Sequence, residues 1–163
     1  TVRGMGMPEV HKLLKDHILG PAHVGFVVSS LEEAVANATR VYGLHEEDVS
    51  YQPPPGEEAL SRFALFSVGG LEFELIEPCS EHFQNILLAM PSGGAGINHV
   101  AWRVDNIDAA VLLLASRGIV PGHVTPEGVV AIGPKKMVYL DPATTGGLVI
   151  ELIEYPQGEK GAL

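Results

Sequence analysis

Two histidines and two glutamates recur in this chain at matched places: His23 with Glu74, then His99 with Glu151. The first histidine opens HVGFVVSSLEEAV, and 76 positions later the second opens HVAWRVDNIDAAV. The first glutamate opens ELIEP, and 77 positions later the second opens ELIEYP. Two imidazoles and two carboxylates make a donor set for one divalent cation. A lone histidine at a strand start, or a lone carboxylate within a strand, is ordinary structure. A glutamate inside an apolar strand is costly to bury unless it is paired or bound to metal. Here that cost arises twice, each time with a duplicated histidine. The pattern points to a metal centre with His23, Glu74, His99 and Glu151 as ligands. With no thiolate the set suits Co2+, Zn2+, Ni2+ or Mn2+; geometry alone does not choose among them, and Co2+ is the ion favoured.

The elements that must position these residues follow from the same repeat. His23–Val28 is short, β-branched and aromatic, as strands prefer. Ser30, with Glu33 three residues on, caps a helix whose apolar face is Leu31, Ala34, Val35 and Ala38, and Gly43 ends it. In the second copy Asn106 is the cap, Ile107, Ala110, Val111 and Leu114 form the face, and Gly118 is the stop. Short strands near Asp48–Gln52, Arg62–Val68 and Leu71–Ile76 complete the first copy. Val120–Val124, Met137–Leu140 and Leu148–Ile153 complete the second, with Pro126–Gly133 as a loop. Each copy is thus a βαβββ module, at residues 20–78 and 96–156. Residues 79–95 join them and hold a helix from Glu81 to Met90. Residues 1–19 form an extension with a helix from Pro8 to Leu19, whose apolar stripe is Val10, Leu13, Leu14 and Ile18. Residues 157–163 form a tail. The expected fold is α+β, with tandem modules closing a half-open eight-stranded barrel around the metal.

Side chains alternate across a strand. Val24, Phe26 and Val28 need a helix over them, so His23 faces the opposite, concave side. The same parity turns Glu72, Glu74, His99 and Glu151 inward. It turns the duplicated Glu77 and Glu154 outward, where they are expected to be solvated. His11, His17, His45, His82 and His123 have no counterpart in the repeat and read as structural or exposed.

Composition excludes other classes. A net charge of −10, with ten scattered Lys and Arg residues, argues against nucleic acid, whose binding rests on phosphate neutralisation. No apolar run is long enough to span a bilayer. One cysteine, Cys79, forms no intrachain disulfide and fits a reducing, cytoplasmic setting.

A duplicated βαβββ module with His on the first strand and Glu on the last resembles the vicinal oxygen chelate (glyoxalase/bleomycin resistance) superfamily, over about residues 20–156. Within it the motifs GINHVAWRVDNIDAA, PATTGGLVIEL and ELIEP are similar to those of methylmalonyl-CoA epimerases. The resemblance implies an isomerase, with an acyl-CoA substrate and a homodimeric assembly. Proton abstraction at C2 would leave an enolate stabilised by the metal. Glu151 would serve as ligand and base. Some epimerases carry a second glutamate where this chain has Phe63, so Glu72, Glu74 or a metal-bound water would take that role, or the substrate differs; Glu72 is the carboxylate expected there. Lys135 and Lys136 would meet CoA phosphates, and backbone amides around Thr145 and Gly146 would bind the substrate carboxylate. Glyoxalases of the family typically carry Arg at the Val27 position. A glyoxalase-like isomerase or lyase, or a non-catalytic binding module, is the alternative.

Overall fold

Strand β1 (Ile18–Val27) lies at the heart of the sheet because both of its edges are paired. The computed structural model describes residues 13–88 and 96–158. A one-turn helix, α1 (Leu14–His17), leads into β1. Then come α2 (Leu31–Tyr42), β2 (Ser50–Gln52), β3 (Ser61–Val68), β4 (Leu71–Pro78) and α3 (Glu81–Leu88). The second half runs β5 (Ile97–Val104), α4 (Ile107–Ala115), β6 (Val130–Ile132), β7 (Lys135–Tyr139) and β8 (Ile150–Glu154). The strands form one sheet in the order β2-β3-β4-β1-β5-β8-β7-β6, curled into a half barrel. Within each half the first and last strands pair in parallel, β1 with β4 and β5 with β8. The halves join through the antiparallel β1–β5 pair. Each His-bearing strand therefore runs beside its Glu-bearing strand.

Each long helix covers the outer face of its own half. Leu31, Ala64, Phe66 and Leu75 are buried together, with Phe26 and Phe73 against them. Ile107, Ala110, Leu114, Val138, Leu140 and Leu152 form the equivalent core around α4. Large apolar side chains buried this fully contribute roughly 1.5–3 kcal/mol each, so the outer face holds the sheet and the inner face is free to carry polar residues. Both helix caps form as expected, Ser30 accepting from the Glu33 N–H and Asn106 from the Ala109 N–H. No helix among the described residues is long and apolar enough to cross a membrane.

Several local expectations are corrected. Ile18 and Leu19 belong to β1 and not to the N-terminal helix, because Ile18 pairs with Val104 across the sheet. Residues 8–12 of that helix, and 89–90 of the linker helix, lie outside the described residues. The strand expected at Val120–Val124 is reduced to a single bridge between Pro121 and Leu140. Proline there lacks an N–H, and His123 takes a left-handed φ of 57°, so a ladder cannot continue. The short edge strand falls instead at Val130–Ile132, inside the expected loop.

Glu77 and Glu154 are not simply solvated. Each points outward to the start of the helix in its own half, where Glu77 accepts the Leu31 N–H and Glu154 the Ile107 N–H, both at 2.8 Å. A carboxylate at a helix N-terminus satisfies an orphan donor and meets the positive end of the dipole. Glu154→Ala should therefore lower the unfolding free energy by about 1.5–3 kcal/mol, the range for a hydrogen bond to a charged group, as read by urea titration.

Candidate metal centre

The central strand pair fixes both histidines. His23 lies opposite Ala101, and Gly25 opposite His99. Each imidazole thus faces the small residue that follows the other histidine by two positions. At Gly25 the fit is tight, since a Cβ there would lie 2.6 Å from His99 Nε2 and closer still to Cε1 and Nδ1. Glycine is required at this position for space and not for backbone conformation.

The parallel neighbours bring in the carboxylates. Glu74 lies beside Gly25, and Glu151 beside Ala101. His23 Nε2 stands 3.0 Å from both His99 Nε2 and Glu151 Oε2, and the last two are 3.2 Å apart. Glu74 Oε1 completes the group at 3.6 Å from His23 Nε2 and 3.8 Å from His99 Nε2. The structure thus brings all four expected residues together. Both histidines and Glu151 are buried.

The donor chemistry fits a cation. His99 Nδ1 lies 2.9 Å from Asn98 Oδ1, an atom that can only accept, so Nδ1 carries the proton and Nε2 offers a lone pair. Glu151 Oε2 is buried and, despite its short approaches to both imidazoles, lacks a well-aligned hydrogen bond. Donors bound at about 2.1 Å and at right angles to one another stand about 3 Å apart, which is the spacing of this triangle. His23, His99 and Glu151 are also the one His/Cys/Asp/Glu group with such spacing among the described residues.

The charges of the group lean on one another. For His23, burial acts to lower the pKa but is outweighed by Glu151, Glu74 and Glu72, so the imidazole holds its proton more strongly than usual. Burial would raise the Glu151 pKa, yet the close imidazoles of His23 and His99 hold it down to about 2. Glu74 is raised, chiefly by burial.

Two different walls lie along the same strands, one to each side of the group, and none of the four residues belongs to either. One is apolar: Val27, Ile76 and Leu87 are buried with Phe63, Phe83 and Val124 packed against them. Phe63 is built into this wall, so its side chain offers no carboxylate there. The other is a polar cavity of about 200 Å³ lined by residues that include Glu72, Arg103, Lys135 and Tyr155. Burial raises the pKa of Glu72, and Lys135 Nζ sits 5.5 Å from the Tyr155 ring centre.

Of the other expected site residues, Glu72 and Lys135 reach this cavity and three do not. Lys136 turns to the other face and bonds Asp108 at 3.0 Å. Thr145 gives its hydroxyl to the Leu148 carbonyl, and Gly146 serves a left-handed turn. Sequence reasoning misses Gly25, Asn98, Arg103 and Tyr139. The first is visible as the G of HVG, matched by the A of HVA; the others leave no mark in the repeat. His17, read as structural, is buried and bonds Asp105 at 2.8 Å, fastening α1 to the second half.

Known proteins show the same architecture. The crystal structure of methylmalonyl-CoA epimerase from Mycobacterium tuberculosis superposes with a TM-score of 0.63 at 23% identity, covering 90% of this chain and 94% of that one. A Streptomyces coelicolor methylmalonyl-CoA epimerase variant in complex with 2-nitronate-propionyl-CoA gives a TM-score of 0.59 at 19% identity, over 85% and 98% of the two chains. The human mitochondrial methylmalonyl-CoA epimerase is 28% identical over 130 residues, which is 80% of this chain and 70% of the relative. The family model described as Glyoxalase/Bleomycin resistance protein/Dioxygenase superfamily matches residues 22–139, a span holding His23, Glu74 and His99. By that match, the chain belongs to the glyoxalase/bleomycin resistance/dioxygenase superfamily.

Proposed function

We propose that the protein is a metal-dependent epimerase of methylmalonyl-CoA or a closely related acyl-CoA. The observation that carries this reading is the buried convergence of His23, His99 and Glu151, with Glu74 beside them. The likeness to the human methylmalonyl-CoA epimerase supports the substrate class. The homodimeric assembly implied by the resemblance, and the cytoplasmic setting expected from the single cysteine, belong to the same proposal.

His23, Glu74, His99 and Glu151 would hold a divalent ion, which would supply electrophilic stabilisation for the negative charge left when C2 loses its proton. Glu151, ionised at neutral pH, takes the C2 proton from one face. Glu72, whose pKa burial raises, holds a proton more readily and returns one from the side of the cavity. Arg103 and Lys135 line that cavity and are suited to the phosphates of the CoA tail. The apolar wall of Val27, Ile76 and Phe63 excludes water from the other side.

The test is to incubate metal-loaded protein with (2R)-methylmalonyl-CoA in D2O. Deuterium should enter C2 with inversion, as followed by NMR and chiral analysis. Absence of exchange while metal stays bound would refute the epimerase and favour a glyoxalase-like isomerase or lyase. Failure to take up metal would leave a binding module.

A further inference from the structure

Tyr139 has no part in the chemistry above, yet its hydroxyl oxygen stands 3.3 Å from His99 Nε2, among the converging donors. It pairs with Glu151 across β7 and β8, and its side chain is buried. Its ring meets two imidazoles edge-on, those of His99 and His123, with ring centres 5.2 Å from each. Its backbone is fastened as well. The Tyr139 N–H donates to Thr125 Oγ1 at 2.8 Å, and its carbonyl accepts the Gly122 N–H at 3.0 Å. The loop approaches this closely only because residue 122 is glycine; a Cβ there would stand 2.5 Å from that of Asp141. The hydroxyl is therefore held in place.

Its hydrogen bond, however, depends on the state of the centre. His99 Nδ1 is committed to Asn98, so Nε2 has one lone pair. That lone pair can accept from the phenol or bind an ion, but not both. An ion on His99 leaves the Tyr139 O–H without this acceptor, in a buried place where an unmade hydrogen bond is costly. Glu151 also lies within hydrogen-bonding reach of the phenol, but its carboxylate is turned to both imidazoles. The phenol's acceptors in the loaded site are therefore Glu151 and an oxygen of whatever molecule joins the ion there.

We propose that the Tyr139 hydroxyl donates a hydrogen bond to the anionic oxygen of the ligand at the metal, which makes it a specificity-determining residue for ligands that present oxygen there. The proposal rests on the metal-centre reading and not on the epimerase activity. It is tested with Co2+-loaded wild type and Tyr139→Phe, titrated separately with malonate and with imidazole while the visible absorption of Co2+ is followed. Both proteins should bind one equivalent of Co2+. Malonate affinity should fall about 10-fold in the variant, the scale of one hydrogen bond to a charged acceptor, while imidazole affinity should change less than about 2-fold. Unchanged malonate affinity would leave Glu151 as the acceptor and overturn the proposal, as would an equal loss for both probes. Loss of Co2+ from the variant would overturn it too, by assigning the hydroxyl to the ligands themselves. A wild type that takes up no Co2+ would overturn both this proposal and the metal centre. If malonate discrimination holds but no deuterium enters methylmalonyl-CoA, the donor role stands and the epimerase reading falls.

Discussion

Gly25→Ala should strip His99 from the metal centre and reduce metal affinity by about 100-fold or more, at least the upper end of the loss caused by disturbing a supporting residue. The added Cβ would occupy the space of the imidazole, and the ring cannot swing away freely. Its Nδ1 is tied to Asn98 and its flank meets the Tyr139 ring. Overpacking of this kind also costs roughly 1–3 kcal/mol of stability. The measurement is metal stoichiometry by atomic emission after dialysis, beside a thermal melt. Ala101→Gly, which removes a methyl group opposite His23, should by contrast keep its metal. Full metal binding by Gly25→Ala would show that His99 is not a ligand.

Glu151→Gln should have the second large effect, because one side chain is assigned two duties. As ligand it stands closer to both imidazoles than Glu74 does, and as base it moves the C2 proton. Loss of a positioned base lowers rates by about 10²–10⁴-fold, and deuterium entry into methylmalonyl-CoA should fall in that range. Glu74→Gln should do much less, since the amide oxygen can still face the imidazoles and Glu74 takes no proton. Equal effects of the two substitutions would sink the assignment of the base. The metal-free protein offers an independent reading. The Glu151 carboxyl titrates at about 2 in the folded chain, against an ordinary value of 4.5. Its stabilising contribution is fully present above about 4.5 and is lost as the pH falls through about 2, because the unfolded chain takes up the proton first. Urea titrations between pH 5 and 2 should show that slope in wild type and a shallower one in Glu151→Gln.

The features legible from sequence are those that the repeat writes twice. His23 and His99, Glu74 and Glu151, both caps and both apolar helix faces can be paired by inspection, and strand parity then gives their directions. Parity also turns Glu77 and Glu154 outward, but it carries no information about a helix terminus waiting above the strand. The stretch from Pro121 to Ile132 resists the same treatment because it has no partner in the first half. There the strand expected at Val120–Val124 is overridden by one proline and one left-handed histidine. Lys135 and Lys136 are neighbours in sequence, and strand alternation sends one to the cavity and the other to Asp108. Arg103 and Tyr139 enter the site only once distant strands are set side by side.

The exchange of small residues opposite the two histidines has a further effect on assembly. A sheet's central pair could slide by two residues and still keep its apolar side outward, so alternation alone does not choose among such alignments. Sliding one way would set His23 directly against His99. Sliding the other way would set it against Arg103 and leave Gly25 facing Ala101 across an empty gap. Only the observed alignment lets each ring settle on a residue small enough to receive it. The histidines thus act as a key between the two halves, and side-chain size alone, without any metal, favours the observed alignment.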